Sequence, residues 1–318
     1  MKTKSFYKAI LAAVGVYTLW GFSFLASSVG QRVATPFVLL SYRFDIALLI
    51  LLVPLVLGKA KLRLRGKNVK MLLLLGLFEP CIYFIGEQYG LKYTNSAFSG
   101  VMIAVIPVVT LIMAAVFLKE KPSMAQWLFS ILSIAGIVVI TLVENSGGSV
   151  SLKGVLLLVV AVLTGAACGV VSRGISDEFS VYERTFMIQL MGAVFFTSLA
   201  VIEHGGNITA LIRPAASLDF MLAALFLAVG ASVVGYWLFN YSVANAPMAN
   251  VISLYNLTTI VSVLAGVFIL GESFSLLSAA AMVAVMVGIW GVQKFTPQKN
   301  GASETNMKRG GIKQCMMI

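Results

Sequence analysis

The residues best placed to do chemistry are three charges set in apolar surroundings: Arg43, Asp45 and Glu79. A charge in a hydrocarbon interior costs about 3 kcal/mol even on lenient insertion scales, so each needs a partner, water or a ligand. One arginine cannot neutralise two carboxylates. The set therefore leaves a carboxyl free to exchange a proton or meet a cationic substrate. The plainer alternative is a structural pair of Arg43 with Glu79 or Asp45. Glu79, Tyr83 and Glu87 stand at i, i+4 and i+8. On a continuous helix they drift over only ~80° of its surface and make one polar stripe. Pro80 frees a carbonyl beside Glu79, which predicts a kink or a ligand contact. Glu87 is either the end of this stripe or an interfacial carboxylate.

Other polar residues lie further along. Ser253, Asn256 and Thr259 follow an i, i+3, i+6 spacing, preceded by Tyr236, Asn240, Tyr241 and Asn250. Such residues either bind a ligand or join helices by hydrogen bonds. Trp20, mid-span and away from the interfaces where tryptophan concentrates, either stacks on a substrate or packs. The candidate binding set is thus Glu79, Tyr83, Glu87, Arg43, Asp45, Trp20, Asn240, Ser253 and Asn256. No catalytic or metal set emerges. Cys81, Cys168 and Cys315 have neither a pairing scheme nor metal spacing and read as small packing residues, and His204 reads as a solvated loop residue. With one His, and without Asp-rich pairs or an H-E-x-x-H motif, an intramembrane enzyme is the weaker reading. A channel would need a ring of charges that scattered acids do not form.

The elements that must position these residues are membrane spans. Of 318 residues, 59% are hydrophobic and 11% charged, against about 25% charged in soluble domains. Ten apolar stretches of roughly helical span length run near 8–28, 36–57, 70–89, 95–118, 123–143, 153–172, 182–203, 218–243, 248–269 and 274–293. They do not alternate as the strands of a membrane barrel would. Counting ~1.5 Å per residue, Arg43 and Asp45 lie about 10–14 Å below one boundary and Glu79 about 14 Å above the other. In a core of about 30 Å these depths overlap near the midplane. The fold class is an all-α integral membrane protein.

Of the 23 Lys and Arg residues, only Arg32, Lys92, Lys153 and Arg213 fall on one side, with Arg43 inside a span. Basic loops stay cytoplasmic, so the other eighteen place both termini inside, in an inner-membrane-type bilayer. The net charge of +11 is dispersed over these loops. Anionic lipid headgroups are the expected partners there, and nucleic acid is excluded. Oligomerisation stays open.

A gapless shift of 152 lays 89–137 on 241–289, matching Tyr89/Tyr241, Leu118/Leu270, Glu120/Glu272, Ser123/Ser275 and Gly136/Gly288 among others. Five spans per half is an odd number, so the second half enters from the opposite face. Inverted repeats of this kind give two equivalent shapes, each open to one side, which is the basis of alternating access.

The chain resembles the EamA-like family of the drug/metabolite transporter superfamily over nearly its whole length. The resemblance rests on Trp20-Gly21-Phe22-Ser23-Phe24, Arg43, Gly90-Leu91-Lys92-Tyr93-Thr94, Pro107, Leu118-Lys119-Glu120-Lys121-Pro122 and Leu270-Gly271-Glu272. Thr259 stands where the shift of 152 would place a counterpart of Pro107. The resemblance implies ten helices in two EamA units at 1–143 and 153–293. Between them lies an external linker at 144–152, and the polar cytoplasmic tail at 294–318 is too hydrophilic to fold alone. The resemblance further implies no bound cofactor, a central cavity lined by spans three, four, eight and nine, and movement of amino acids, their derivatives or other metabolites, often outward.

Overall fold

The structure, a computed structural model, describes residues 2–117, 122–146, 150–175, 178–245, 251 and 254–295. Nine described helices are long and apolar enough to cross a bilayer: α1 (Phe6–Gln31), α2 (Pro36–Val56), α3 (Val69–Lys92), α4 (Ser96–Met113), α5 (Met124–Glu144), α6 (Leu152–Ser172), α7 (Val181–Glu203), α8 (Leu218–Phe239) and α10 (Leu276–Lys294). A shorter apolar helix, α9 (Asn256–Leu270), lies between the last two. Their starts are written locally. Thr35 caps α2, with Pro36 in the first turn, where a missing N–H costs nothing. Ser180 and Glu183 form a reciprocal capping box on α7, and Ser275 caps α10.

Helix neighbours follow a two-fold rule. The pairs α5 with α10, α2 with α7 and α4 with α9 each map onto themselves when the halves are exchanged. The packing of α1 on α8 and α9 maps onto that of α6 on α3 and α4, and α2 on α8 maps onto α7 on α3. Because successive spans alternate in direction, α6 runs opposite to α1, so this exchange inverts the membrane direction. Buried residues make up 61% of the most apolar window of α4 but 28% of that of α5. Helix α4 is thus central, whereas α5 shows Leu128, Ile131 and Leu142 to its surroundings.

The interruptions repeat as well. Helix α3 is kinked within Leu77–Ile82, and α8 is interrupted by a π-helical stretch at Phe226–Val234. Helix α4 breaks at Ala104–Val105, ahead of Pro107, which supplies no N–H to the preceding turn. A matching turn at Leu254–Tyr255 precedes α9 without any proline. In the first, Val105 donates to Met102 at 3.2 Å and Val108 to Val105 at 2.9 Å. In the second, Leu254 donates to Val251 at 3.2 Å and Leu257 to Leu254 at 2.9 Å. These bonds are 149 residues apart, so Asn256, and not Thr259, stands opposite Pro107.

Close approach between α5 and α10 rests on Gly136 and Gly288. A Cβ on Gly136 would meet Ala281 O at 2.9 Å, and one on Gly288 would meet Phe129 O and Ser133 N at 2.7 Å. Gly288→Val should lower stability by ~1–3 kcal/mol through overpacking against backbone that cannot yield. Thermal unfolding in detergent checks this, with Gly169→Ala as the neutral control. Nothing lies within 4 Å of the Cβ direction of Gly169, whereas a Cβ on Gly21 would meet Thr258 O at 2.9 Å.

Several ties join the halves, among them two carboxylates at helix starts. The carboxylate of Glu272, in the turn after α9, accepts N–H bonds from Ser96 (2.8 Å) and Ala97 (2.9 Å) at the start of α4. An anion at a helix N-terminus is favourable because those N–H groups otherwise lack partners. Gly271, at φ 69°, turns the chain out of α9 and aims Glu272 at them. Its repeat counterpart Glu120 lies outside the described residues. At the other tie, Lys67 in the α2–α3 loop donates to both oxygens of Glu183 at 2.8 Å. The backbone N–H groups of Arg63 and Ser180 also donate to Glu183, each at 2.8 Å. Glu183 is 3% exposed and Lys67 22%, so the tie is worth less than a fully buried pair. Glu183→Ala should cost ~1–3 kcal/mol, as donors lose their acceptor. Faster limited proteolysis within 58–68 would report it.

Candidate substrate and proton site

The expected stripe on α3 is interrupted where its deepest carboxylate sits. Glu79 adopts φ −135° and ψ 114° at the kink, next to a cis Glu79–Pro80 bond. Its carboxylate is therefore displaced from the line that Tyr83 and Glu87 keep. Glu79 Oε1 accepts from the Tyr236 hydroxyl of α8 at 2.6 Å, and Oε2 from the Cys168 thiol of α6 at 3.1 Å. Tyr83 donates to Glu87 at 2.9 Å, in keeping with their i, i+4 spacing. Glu87 is 6% exposed, buried within the protein. The Gln88 amide donates to it at 2.9 Å and to Ser27 of α1 at 3.1 Å, and Gln31 donates to Gln88 Oε1 at 2.8 Å.

Arg43 is not paired with Glu79 or Asp45. Among the described residues no carboxylate lies within 4.0 Å of it. Its Nε donates to Ser232 of α8 at 3.0 Å, and its guanidinium lies 4.4 Å from the centre of the Phe84 ring and 5.8 Å from that of Phe44. A cation over an aromatic face gains about 1–2 kcal/mol when desolvated, which holds the side chain without neutralising it. Asp45 faces α7 instead, accepting from Thr197 at 2.8 Å and 3.1 Å. Arg43 and Glu79 thus meet α8 at Ser232 and Tyr236, four residues apart, so their contacts are separated by about 6 Å along the axis.

Trp20 closes one side. Its indole N–H donates to Ala231 O at 3.1 Å, and its ring packs edge-on to Tyr236 at 5.9 Å and against Phe239 at 5.6 Å. Tyr17 joins Trp20 to Tyr255, with centroids 5.8 Å and 5.3 Å away. Asn256 turns elsewhere, donating to Met286 O of α10 at 2.9 Å, and so joins helices. Ser253 and the side chain of Asn240 lie outside the described residues.

The structure therefore gathers Glu79, Tyr83, Glu87, Arg43 and Trp20, and separates Asp45 and Asn256 from them. It adds Tyr236, Cys168, Ser232 and Gln88. Tyr236 carried a sequence signal as a hydroxyl within an apolar span, whereas Cys168 carried none. No group of three His, Cys, Asp or Glu that could hold a metal occurs among the described residues. A carboxylate held by neutral donors, and a guanidinium with no carboxylate within 4.0 Å among the described residues, can bind, respectively, an ammonium or proton and an oxyanion.

The pattern of the EamA-like transporter family matches residues 7–142 and again 152–293. The uncharacterized transporter YcxC of Bacillus subtilis (strain 168) is 33% identical over 286 residues, covering 89% of this chain and 92% of its own length. The uncharacterized inner membrane transporter YedA of Escherichia coli (strain K12) is 25% identical over 284 residues, covering 87% of this chain and 88% of its own. A solved crystal structure, 19% identical, aligns over 90% of this chain and 97% of that chain with a TM-score of 0.56 and so shares the fold. With the family pattern present twice and spanning most of its length, the chain belongs to the EamA-like transporters of the drug/metabolite transporter superfamily, multi-pass membrane proteins that move small molecules and are not enzymes.

Proposed function

We propose that the chain is a secondary carrier that exports a small zwitterionic metabolite, an amino acid or close derivative, by alternating access and with proton coupling. The supporting observation is the disposition of opposite charges: Arg43 with no carboxylate within 4.0 Å among the described residues, and Glu79 held by a hydroxyl and a thiol, both anchored on one stretch of α8. In this reading Arg43 takes the substrate carboxylate through its planar fork. Glu79 takes the ammonium or, in its absence, a proton, with Tyr236 orienting it. Trp20 and its aromatic neighbours offer a face to the substrate side chain. The breaks in α4 and before α9, the kink in α3 and the π turn in α8 supply positions where each half bends.

The setting is the inner membrane, with both termini cytoplasmic. A reporter fused after residue 295 should be active on the cytoplasmic side, and activity only in the periplasm would overturn the orientation. Uptake of radiolabelled amino acids into inverted vesicles tests the function. Saturable, gradient-dependent accumulation of unaltered substrate is expected, and failure across the amino acids and their derivatives would remove the zwitterion reading.

A further inference from the structure

One cavity of about 310 Å³ opens among the ends of α1, α2, α3 and α7 and the segment that follows α7. Gln31, Arg32, Thr35, Lys92, His204 and Pro214 are among its lining residues. Arg32 and Lys92 are two of the only four Lys or Arg residues in the loops of the sparsely basic face, and His204 is the chain's single histidine. Two of the four loop cations on that face, with a histidine that is charged only when protonated, thus converge from well-separated stretches of sequence. Bringing like charges together is unfavourable unless something negative offsets them. No carboxylate lines the cavity. The nearby Glu203 accepts from Thr35 at 2.6 Å and lies 3.9 Å from His204 Nδ1, so it answers at most one of these charges. Among the described residues neither Arg32 nor Lys92 has an ion-pair partner.

We infer that this cavity is an oxyanion-binding site, built for the phosphate of a lipid headgroup or for a free small anion such as phosphate. Its size sits at the lower limit of small-molecule sites, about 300 Å³, so it admits a headgroup or a free anion but not a whole lipid. Arg32 supplies planar donors and Lys92 a point charge, the usual division of labour around phosphate. Gln31 joins the cavity wall to the interior, since its amide also bonds Gln88, which bonds Glu87. The site stands apart from Arg43 and Glu79 and does not depend on the transport reading.

The test uses the purified full chain in phosphatidylcholine nanodiscs, with inorganic phosphate as probe against chloride at matched ionic strength. Phosphate should raise Tm by a few degrees, because a ligand that binds only the folded state stabilises it. The Arg32→Gln, Lys92→Gln double variant should raise the phosphate dissociation constant at least tenfold, whereas Lys153→Gln, which removes a charge elsewhere on the same face, should not. In a second arm, native mass spectrometry after extraction from phosphatidylglycerol-containing membranes should show this lipid retained by the wild type and lost from the double variant. A response in the first arm alone identifies a free anion as the occupant, and one in the second alone a headgroup. Absence of both responses in the wild type overturns the inference, as does their persistence unchanged in the double variant.

Discussion

Glu79→Gln should abolish gradient-driven transport in reconstituted vesicles while the protein remains folded and inserted. Hydrogen bonds to a charged group contribute about 1.5–3 kcal/mol, so loss of the carboxylate predicts a fall of ~10- to 150-fold in substrate handling, with coupling lost outright. The glutamine oxygen can still accept from Tyr236 or Cys168, so the surroundings keep a partner. Wild-type transport should follow an imposed proton gradient, and the residual exchange of the variant should not. Full gradient-driven transport by Glu79→Gln at every pH would remove Glu79 from the mechanism. Lower yield and melting temperature with unchanged coupling would make it structural.

Arg43→Gln should raise KM by ~10- to 150-fold for a carboxylate-bearing substrate, since a charge-assisted bidentate contact is lost. Its effect on stability should be near 1 kcal/mol, the scale of the lost contact with Phe84. Arg43→Lys should not restore affinity, because an ammonium cannot reproduce the planar fork. A buried ion pair behaves differently: removing one partner is severe, and removing both is mild. Here no such pair joins Arg43 and Glu79, so the double variant should melt no higher than the weaker single variant. Recovery of stability in the double variant would refute the separate roles given to the two residues.

The helices, their number and the duplicated order of Glu272, Gly288 and their counterparts were legible because each follows from local composition or simple spacing. Arg43 and Glu79 stood out because a charge in an apolar run is costly wherever it points. Their partners were not legible. Sequence depth placed Arg43, Asp45 and Glu79 at one level, but depth says nothing about the direction a side chain takes around its helix. Asp45 lies only two positions from Arg43, about 200° around an ideal helix, and so reaches Thr197 on α7 while Arg43 reaches α8. The stripe argument failed at Glu79 for the reason Pro80 announced. An uninterrupted 3.6-residue period cannot be carried through a residue whose backbone leaves the helix. Asn256 lay on the expected polar spacing, but its amide serves the carbonyl of Met286, a choice made by the neighbouring helix.

The bonds from Ser96 and Ala97 to Glu272 bear on how such a chain could be divided. A polypeptide ending after α5 would keep the bare N–H groups at the start of α4 and lose the carboxylate that satisfies them. It would also lack the partners of the pairs α5 with α10, α2 with α7 and α4 with α9. Each of those pairs maps onto itself, so a second copy of the same fragment, inserted upside down, offers equivalent surfaces. Co-produced fragments 1–146 and 150–318 should therefore reassemble. Either fragment alone would need dual orientation in the membrane to find a companion.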